Sequence, residues 1–482
     1  MPRQLPLTFQ QRWLLDFVTT HERWQCVAAS AFRFKGALNI PLLRQCLNEV
    51  VCGNDALRTR IVITDLLAQQ EILDPEAYLL ESTLVSGSCA AEIESTARQF
   101  VEDLCDERMD ISAGPLWKAT LLELDKYEHW LVLAMHRLIG DCASIDQTYR
   151  AVQSSYREAS QGRSIPDSSP PQYSDYTSWQ QKTCSGWSQR HEPYWIWSLD
   201  GAVPLEWPVD RNVTVTSPGI LGKVSCSLGA ALGASLHDLA RKMRTLGANV
   251  MLSLYVVALW RWCQQKDFVL PFNVAGRSTE YKSAIGYFSY SLYLRMRLTG
   301  EETFRGLVKS VANEFFGGLT HQDFGRIARQ RPELLSGTLF QWLTWHPDDG
   351  TDTLSSAASD STKQAIERVT VRDFGEGLTV VPPGVTSVEI TVFDTPAGLQ
   401  AFGSYRTDQF TMHTMERFME EFRSVTEFFI SDPDARIAII GQVGGDLDGA
   451  VERESGEAQC RTKRRVSESD AGAASIAAHS LS

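Results

Sequence analysis

Residues 136–142 bring four chemically distinct side chains into one short segment, which reads His136-Arg137-Leu-Ile-Gly-Asp141-Cys142. An imidazole titrates near neutrality and can take a proton from an attacking nucleophile, whereas a guanidinium stays protonated at any biological pH. Arg137 therefore cannot serve as a general base, but it can bind or stabilise negative charge. The carboxylate can hold an ion pair, and a thiol at a helix N-terminus can become a nucleophile because that position lowers its pKa. The segment thus has residue types suited to proton transfer, anion binding and nucleophilic attack.

The sequence around this segment predicts a loop between a strand and a helix. Trp130–Met135 is apolar throughout, which is typical of an interior strand that is covered on both faces. After the segment, Ile145, Tyr149, Val152 and Tyr156 recur at helical spacing and predict a helix with one buried face. We therefore expect the segment to leave the end of a buried strand and to enter a helix.

A second unit of helix and strand follows further along the chain. Residues 251–262 predict a buried helix, and Phe268–Val274 predicts a strand near a sheet edge because it contains Pro271. Apolar runs bounded by turn residues alternate with helical patterns up to about residue 440. The fold class predicted from this alternation is α/β, with mixed α+β layers.

The chain is long enough to form two packed halves, since it has 482 residues of which 43% are hydrophobic. Pro and charged residues interrupt the pattern at 204–210. This interruption predicts an N-terminal half at 1–204 and a C-terminal half at 205–440. Residues 441–482 have almost no large apolar side chains, so we predict a disordered tail there.

Composition and charge argue against several classes of function. The net charge is −13, whereas phosphate backbones are bound by clustered Lys and Arg, so we expect no nucleic-acid partner. No apolar run is long enough to span a bilayer and the N-terminus has no signal-peptide pattern, so we expect a cytoplasmic protein without a membrane partner. The ten cysteines include no CxxC pair and no two histidines have ligand spacing, so we predict neither disulfides nor a metal site.

Several segments, taken in order, resemble the motifs of condensation domains, which join carrier-bound amino acids in nonribosomal peptide synthesis. Residues 136–142 are similar to the family's His-His-x-x-x-Asp-Gly motif, and the resemblance runs collinearly over residues 5–438. The other matching segments are Leu5–Arg12, Asp55–Arg60, Tyr173–Trp179, Leu205–Arg211, Asn273–Arg277, Ile285–Arg295 and Tyr405–Phe410. By this resemblance the chain is identified as a member of the condensation-domain superfamily, with HRxxxDC in place of HHxxxDG.

The resemblance implies a role for each position of the motif. In the family the second His takes the proton from the attacking amine, and Arg137 stands at that position. His136 matches the first His, whose family role is structural, and neighbours at a strand end project to opposite sides, which argues against an exchange of roles. Asp141 matches the motif Asp, which forms a salt bridge with an Arg of the other half, and by position that partner is Arg277. The candidate catalytic positions are therefore His136, Arg137 and Asp141, with Asp141 in a structural role.

Three further residues depart from the family pattern and are our candidates for substrate binding. Cys142 replaces the motif Gly, where we expect the loop backbone to need a conformation that Gly adopts easily. We interpret its side chain as filling the loop rather than as a nucleophile, because no spare His stands next to it. Tyr290 and Ser291 lie in the stretch 288–291, where the family usually has Phe-Val-Asn-Thr.

The resemblance also implies an architecture and a set of partners. It implies two chloramphenicol-acetyltransferase-like halves in a V-shaped pseudo-dimer, with residues 136–142, which we call the His-Arg loop, at their junction. Carrier proteins would approach from opposite faces and insert phosphopantetheine arms, and the protein would need no cofactor of its own. Because the sequence holds no adenylation, carrier or thioesterase segment, we expect a free-standing monomer that works in trans on carrier proteins or on a nonribosomal peptide synthetase.

Three functional hypotheses follow from the altered motif. The first is an enzyme that forms an amide or ester bond between carrier-bound groups without the second His, since alignment of two tethered reactants supplies much of the rate by itself. The second is an inactive platform, because His-Arg-x-x-x-Asp resembles the domains of glycopeptide synthetases that recruit tailoring oxygenases. The third is a related acyltransferase with a soluble acceptor. The sequence leaves the choice among them open, because function lies in the site and this site departs from the family.

Overall fold

The computed structural model describes residues 2–20, 26–64, 67–163, 170–211, 219–321, 326–335, 337–344, 365–369, 380–381, 386–395 and 397–439. The predicted disordered tail at 441–482 lies outside these described residues. The chain forms layers of helices against β-sheets, in agreement with the predicted α/β class. The strands are β1 (Arg3–Pro6), β2 (Val27–Lys35), β3 (Thr59–Ile63), β4 (Ala68–Ile72), β5 (Glu81–Leu84), β6 (Trp117–Glu123), β7 (Glu128–His136), β8 (Gly219–Leu228), β9 (Asp267–Val274), β10 (Tyr290–Arg297), β11 (Thr338–Thr344), β12 (Ala365–Val369), β13 (Val380–Val381), β14 (Val388–Thr395) and β15 (Gly398–Arg406).

The helices cover the faces of the sheets and include the one that follows the His-Arg loop. They are α1 (Phe9–Thr20), α2 (Ile40–Gly53), α3 (Ala90–Asp106), α4 (Cys142–Ser160), α5 (Tyr173–Thr183), α6 (Trp187–Arg190), α7 (Glu192–Ser198), α8 (Gly229–Met243), α9 (Gly247–Cys263), α10 (Phe304–Thr320), α11 (Arg326–Gln330) and α12 (Met412–Ser431). Within the described residues no single helix is long and apolar enough to cross a membrane. Helices α8 and α9 reach that length and composition only when taken together, and a bend of 107° separates them.

The first large sheet has the strand order β12-β2-β7-β6-β5 and carries the His-Arg loop at the end of β7. β7 pairs with β2 on one side and with β6 on the other, and every residue after Glu128 in it is buried. The interior strand predicted at Trp130–Met135 is therefore confirmed. His136 is the last residue of this strand and Cys142 is the first residue of α4, so the loop proper is 137–141.

One strand of this first sheet comes from the later part of the chain. β12 pairs antiparallel with β2, with Ala365 opposite Lys35 and Val369 opposite Ala31. The predicted division into halves at 1–204 and 205–440 consequently stays a prediction, because a strand that follows residue 205 belongs to the first sheet.

The second large sheet has the strand order β10-β9-β11-β14-β15-β8-β13, and its two faces differ in chemistry. The predicted strand at Phe268–Val274 is β9, and it lies next to the edge strand β10, with Pro271 opposite Tyr293. On one face, Phe340 stacks on Tyr255 of α9 with ring centroids 4.9 Å apart. Strand side chains alternate between faces, so the neighbours of Phe340 along its strand point to the opposite face, away from α9.

Helix α5 joins the two large sheets through aromatic packing and hydrogen bonds. The Tyr173 hydroxyl donates to the Tyr287 carbonyl at 2.7 Å, and the rings of Tyr173 and Tyr176 pack on Phe288 with centroids 5.2 and 4.6 Å apart. Gln10 in α1 donates to the Phe288 carbonyl at 3.2 Å. Burial of such rings contributes about 1.5–3 kcal/mol each, so the junction between the sheets is part of the core.

We predict that Gly286→Ala destabilises this junction, because a Cβ at Gly286 would lie 2.1 Å from the Tyr173 ring. That ring is buried and held by its hydroxyl, so relief requires the backbone to shift at a cost of about 1–3 kcal/mol. Chemical denaturation measures this loss. Gly53→Ala at the end of α2 is the matched control, since a Cβ there meets no atom within 4 Å. Equal unfolding free energies for the two variants would contradict the packing described here.

Candidate active site

The loop after β7 is held at both ends by main-chain hydrogen bonds and a helix cap. The His136 amide donates to the Leu116 carbonyl at 2.8 Å, and the Arg137 amide donates to the Cys26 carbonyl at 2.8 Å. At the other end Asp141 is the N-cap of α4. The strand ladder thus continues one residue beyond the strand, and the positions of the loop side chains are fixed by the sheet and the helix that flank them.

His136 is buried and takes part in the structure of the loop itself. The residue is 2% exposed, and its Nδ1 accepts a hydrogen bond from the Leu138 amide at 3.1 Å. Burial lowers the pKa of His136 to about 4. The ring is therefore neutral at physiological pH, and a base this weak is poorly matched to an ammonium group. These features support the structural role that the sequence implied for His136.

Arg137 is partly buried and lies among groups that can carry negative charge. Its Nη2 lies 3.6 Å from the Cys142 Sγ, toward which it donates. Burial by itself lowers the pKa of Arg137, but the fields of Cys142, Tyr287, Cys26 and Glu389 outweigh it and raise that pKa above its ordinary value. The guanidinium is consequently a permanent cation at this position, as the residue type predicts.

Asp141 caps α4 through a reciprocal pair of hydrogen bonds with Ser144. The Ser144 amide donates to Asp141 Oδ1 at 3.1 Å, and the Asp141 amide donates to Ser144 Oγ at 3.2 Å. Such a capping box satisfies two amides that the first turn of a helix leaves without partners. The start of α4, and with it the position of Cys142, is fixed by this one carboxylate.

The same carboxylate binds Arg277 across the junction between the two sheets. Arg277 Nη1 and Nη2 each lie 2.6 Å from an Asp141 carboxylate oxygen, and the two side chains are 8% and 6% exposed. Arg277 Nη2 also donates to Ser144 Oγ at 2.9 Å, and its guanidinium lies 4.5 Å from the ring centroid of Phe288. The structure therefore contains the Asp141–Arg277 pair that the resemblance implies, in bidentate geometry.

The link between the sheets includes main-chain groups as well as the ion pair. Ser144 Oγ donates to the Gly286 carbonyl at 2.8 Å, and it accepts from the Gly286 amide at 3.0 Å. The Phe288 amide donates to Asp141 Oδ2 at 3.3 Å. The His-Arg loop is thus held against residues 286–288 of the other side by direct hydrogen bonds.

Cys142 occupies the first helical position of α4 and is partly exposed. Among the described residues other than Gly, positive φ occurs at Cys26, Arg244 and Gln264, so Cys142 has an ordinary helical backbone. The expectation that this position needs a conformation special to Gly is therefore wrong, because it begins a regular helix whose cap is Asp141. Its thiol is oriented by the contact with Arg137.

Tyr290 and Ser291, the other candidate substrate-binding residues, point to opposite faces of the second sheet. Tyr290 is 7% exposed and belongs to the hydrophobic core. Ser291 Oγ donates to Asn273 Oδ1 at 2.5 Å and lies on the face opposite to Tyr290. Of the two, Ser291 belongs to the polar surface, whereas Tyr290 is a packing residue.

Polar side chains continue across this surface of the second sheet. Ser291 is opposite Asn273, Asn273 is opposite Gln341, and Gln341 donates a side-chain hydrogen bond to Glu389 on the next strand. Phe272, Phe340 and Ile390, which alternate with these residues, are buried on the other face. Burial raises the pKa of Glu389, and the charge of Arg137 acts to lower it. We call Ser291, Asn273, Gln341 and Glu389 the polar row.

Sequence reasoning missed Glu389 and Tyr287 as neighbours of Arg137. Glu389 lies between Val388 and Ile390, and a carboxylate between two apolar residues of a strand was the available signal. The sequence does not reveal which loop that carboxylate faces. Among the described residues, no group of His, Cys, Asp and Glu side chains has a geometry that could hold a metal ion.

We predict that Asp141→Ala lowers stability strongly, because it removes the helix cap and leaves Arg277 as an uncompensated buried charge. Breaking a buried pair from one side costs about 3–5 kcal/mol. Thermal and chemical unfolding measure the loss. Asp434→Ala is the control, since its partner Arg305 is 43% exposed and Asp434 itself is 69% exposed, so the melting temperature should barely change. A stable but inactive Asp141→Ala protein would instead assign this carboxylate to the chemistry.

We predict a pH-dependent contribution of His136 to stability. Its folded pKa of about 4 lies below the ordinary value of 6.5, so the unfolded chain takes up the proton first as the pH falls. The contribution, about 3 kcal/mol at most, is complete above pH 6.5 and is lost as the pH falls toward 4. His136→Gln should flatten the dependence of unfolding free energy on pH across this window. His413→Gln on α12 controls for loss of an exposed imidazole, and an unchanged slope in His136→Gln would refute the assignment.

The sequence of the chain is similar to a known family and to several known proteins. The sequence model of the condensation domain matches residues 1–443. A linear gramicidin synthase polypeptide from Brevibacillus parabrevis is 27% identical over 462 residues, which cover 92% of this chain and 8% of that protein. Two further polypeptides of the same synthase are 25% and 27% identical, and the chain spans less than a tenth of the length of each of the three.

Solved structures show the same fold. The SgcC5 protein from Streptomyces globisporus superposes with a TM-score of 0.71 at 21% identity, covering 89% of this chain and 100% of that chain. The X-domain from teicoplanin biosynthesis, solved in complex with OxyB, gives a TM-score of 0.73 at 19% identity and covers 91% of this chain and 96% of that chain. These matches confirm the predicted chloramphenicol-acetyltransferase-like fold. With the family match over most of its length, the chain belongs to the condensation-domain family of nonribosomal peptide synthesis.

Proposed function

We propose that the protein forms an amide or ester bond in trans between groups that partner carrier proteins present as phosphopantetheine thioesters. The observation that carries this proposal is the position of Arg137: a permanent cation on a loop that direct hydrogen bonds hold at the junction of the sheets. A loop that had lost all function would need no such charge, since a partly buried cation costs solvation energy.

Arg137 can perform the part of the reaction that needs positive charge. When an amine or hydroxyl attacks a thioester, the carbonyl oxygen becomes an oxyanion before the sulfur leaves. A guanidinium that is already positioned stabilises this charge without reorganisation, and loss of one such donor typically costs about 100-fold or more in kcat. Asp141 and Arg277 support this role indirectly, because they fix the end of the loop that carries Arg137.

A second candidate function is an inactive platform that binds a carrier-bound peptide and recruits a tailoring enzyme. Two observations favour it: an arginine stands where the family has its second His, and the X-domain crystallised with OxyB has the same fold. On this hypothesis Arg137 contacts a partner protein or the peptide rather than an oxyanion. Turnover separates the two candidates directly.

We predict that Arg137→His does not raise the rate. The substitution introduces an imidazole at the family's position but removes the cation that we assign to the oxyanion, so the rate should stay the same or fall. Arg137→Ala should fall by about 100-fold, and Arg137→Lys should fall less because it keeps the charge. The measurement is intact-mass spectrometry of carrier proteins that are loaded with acyl or aminoacyl thioesters.

Arg241→His is the matched control, because Arg241 is 75% exposed on α8 and its loss should leave turnover unchanged. A large increase in rate for Arg137→His would contradict the proposed role of the guanidinium. A wild-type protein that is inert with every carrier pair, yet binds a tailoring enzyme tightly, would replace this proposal with the platform.

A further inference from the structure

The start of helix α1 contacts both the His-Arg loop and the residues that face this loop across the junction. Gln11 Nε2 donates to the Leu138 carbonyl at 2.8 Å, and Leu138 directly follows Arg137 in the loop. The residue before it in the helix, Gln10, donates to the Phe288 carbonyl at 3.2 Å. Two consecutive glutamines therefore bind main-chain carbonyls on opposite sides of the junction, in addition to the link made by the Asp141–Arg277 pair.

A capping box fixes the side chain of Gln11 at the start of α1. The Gln11 amide donates to Thr8 Oγ1 at 3.2 Å, and the Thr8 amide donates to Gln11 Oε1 at 3.0 Å. This exchange satisfies two amides of the first helical turn and occupies the acceptor end of the Gln11 side chain. The amino group of that side chain is thereby directed to Leu138, with Gln70 Oε1 as its second acceptor at 3.1 Å.

Gln10 is held from the side of helix α5. Its Nε2 also donates to the Tyr176 hydroxyl at 2.9 Å, and its Oε1 accepts from Gln180 Nε2 at 2.8 Å. Gln10 and Gln11 are 1% and 0% exposed, so water does not compete for these hydrogen bonds. Both glutamines consequently have all their side-chain hydrogen-bonding groups bound within the protein, and the start of α1 is a fixed support for the junction.

The Leu138 carbonyl is the point at which Gln11 can affect Arg137. The Arg137 amide donates to the Cys26 carbonyl at 2.8 Å, and the Leu138 amide donates to His136 Nδ1 at 3.1 Å, so the peptide groups before and after Arg137 are both bound. Gln11 binds the next peptide group along the chain. Because each residue has only two soft main-chain torsions, three consecutive bound peptide groups determine the direction in which the Arg137 side chain leaves the backbone.

We propose that Gln11 is a positioning residue for Arg137, and that its hydrogen bond to Leu138 holds the guanidinium where the oxyanion forms. This inference rests on the proposed condensation activity and extends it to a residue that acts through the loop rather than on the reacting groups. A displacement of about 1 Å at a reacting site can cost about 100-fold in rate. A side chain that only holds the loop can therefore matter nearly as much as the guanidinium itself.

Gln11→Met tests this inference, because methionine has a similar length but cannot donate to Leu138. We expect kcat to fall by about 10- to 100-fold, since the loop loses the hydrogen bond that places Arg137. The KM for each carrier protein should stay nearly unchanged, because Gln11 is buried and cannot contact a carrier. The measurement is intact-mass spectrometry of loaded carrier proteins, with melting temperatures recorded for every variant.

Gln70→Met is the matched control. Gln70 is also buried and belongs to the same set of hydrogen bonds, through Gln11, Thr177 and the Pro6 carbonyl, but none of these bonds reaches the loop. Its variant should lose a similar amount of stability and keep the kcat of wild type. If Gln11→Met does not fold, Gln11→Asn replaces it, because the shorter amide keeps the polarity but withdraws the donor from Leu138.

Combination with Arg137→Ala gives a readout that a purely structural role would not change. Once the guanidinium is absent, loss of Gln11 has no charge left to displace. The double variant should therefore be about as slow as Arg137→Ala alone, whereas the effects of two independent sites would multiply. The loss of melting temperature caused by Gln11→Met should be similar in both backgrounds.

The outcomes separate this inference from the proposed function. An active wild type whose Gln11→Met variant keeps its kcat, or slows by the same factor with and without Arg137, would overturn the role of Gln11 and leave the condensation activity intact. An equal fall in kcat for Gln70→Met would overturn it as well, because lost stability would then explain the rate. A wild type that is inert with every carrier pair would overturn both proposals.

Discussion

The arrangement of the junction depends on the two oxygens of one carboxylate. Asp141 caps α4 and also binds Arg277 from the other side of the junction in bidentate geometry, so a single group both begins the helix and joins it to the other side. A buried ion pair adds little net stability compared with apolar packing, but its geometry is strict. Removal of one partner is strongly destabilising, because the other charge is then left buried without compensation. Its value here is positional: it fixes the loop that carries Arg137 relative to residues 286–288.

The altered motif changes the kind of site that this framework supports. An imidazole can gain and lose a proton during a reaction, whereas a guanidinium contributes a constant charge. With Arg137 in place, any proton that leaves a nucleophile has to reach another group. His136 does not offer an alternative, because its ring is buried and its Nδ1 is occupied by the Leu138 amide. The site has thus exchanged a titrating group for a constant positive charge.

The sequence predicted those strands and helices whose apolar residues are adjacent or regularly spaced along the chain. The uniformly apolar run at 130–135 predicted an interior strand, and the period of apolar residues after it predicted α4. The family resemblance gave the Asp141–Arg277 pair, which no local pattern could supply because the two residues are far apart in sequence. The polar row was not predictable, since it depends on β11 pairing in parallel between β9 and β14. At Cys142 the expected need for Gly was wrong, because a helix starts there and not a tight turn.

The pairing of β12 with β2 in the first sheet has a consequence for how the chain folds. Until β12 reaches β2, the backbone groups along the outer side of β2 have no strand partner, and such an open edge is a site for pairing with other chains. Because β12 lies at residues 365–369, this protection arrives late during synthesis, after much of the second sheet has emerged from the ribosome. A fragment that ended near residue 204 would therefore carry the whole His-Arg loop and yet expose a long β-edge, so it would be prone to aggregation for a reason that lies far from its active site.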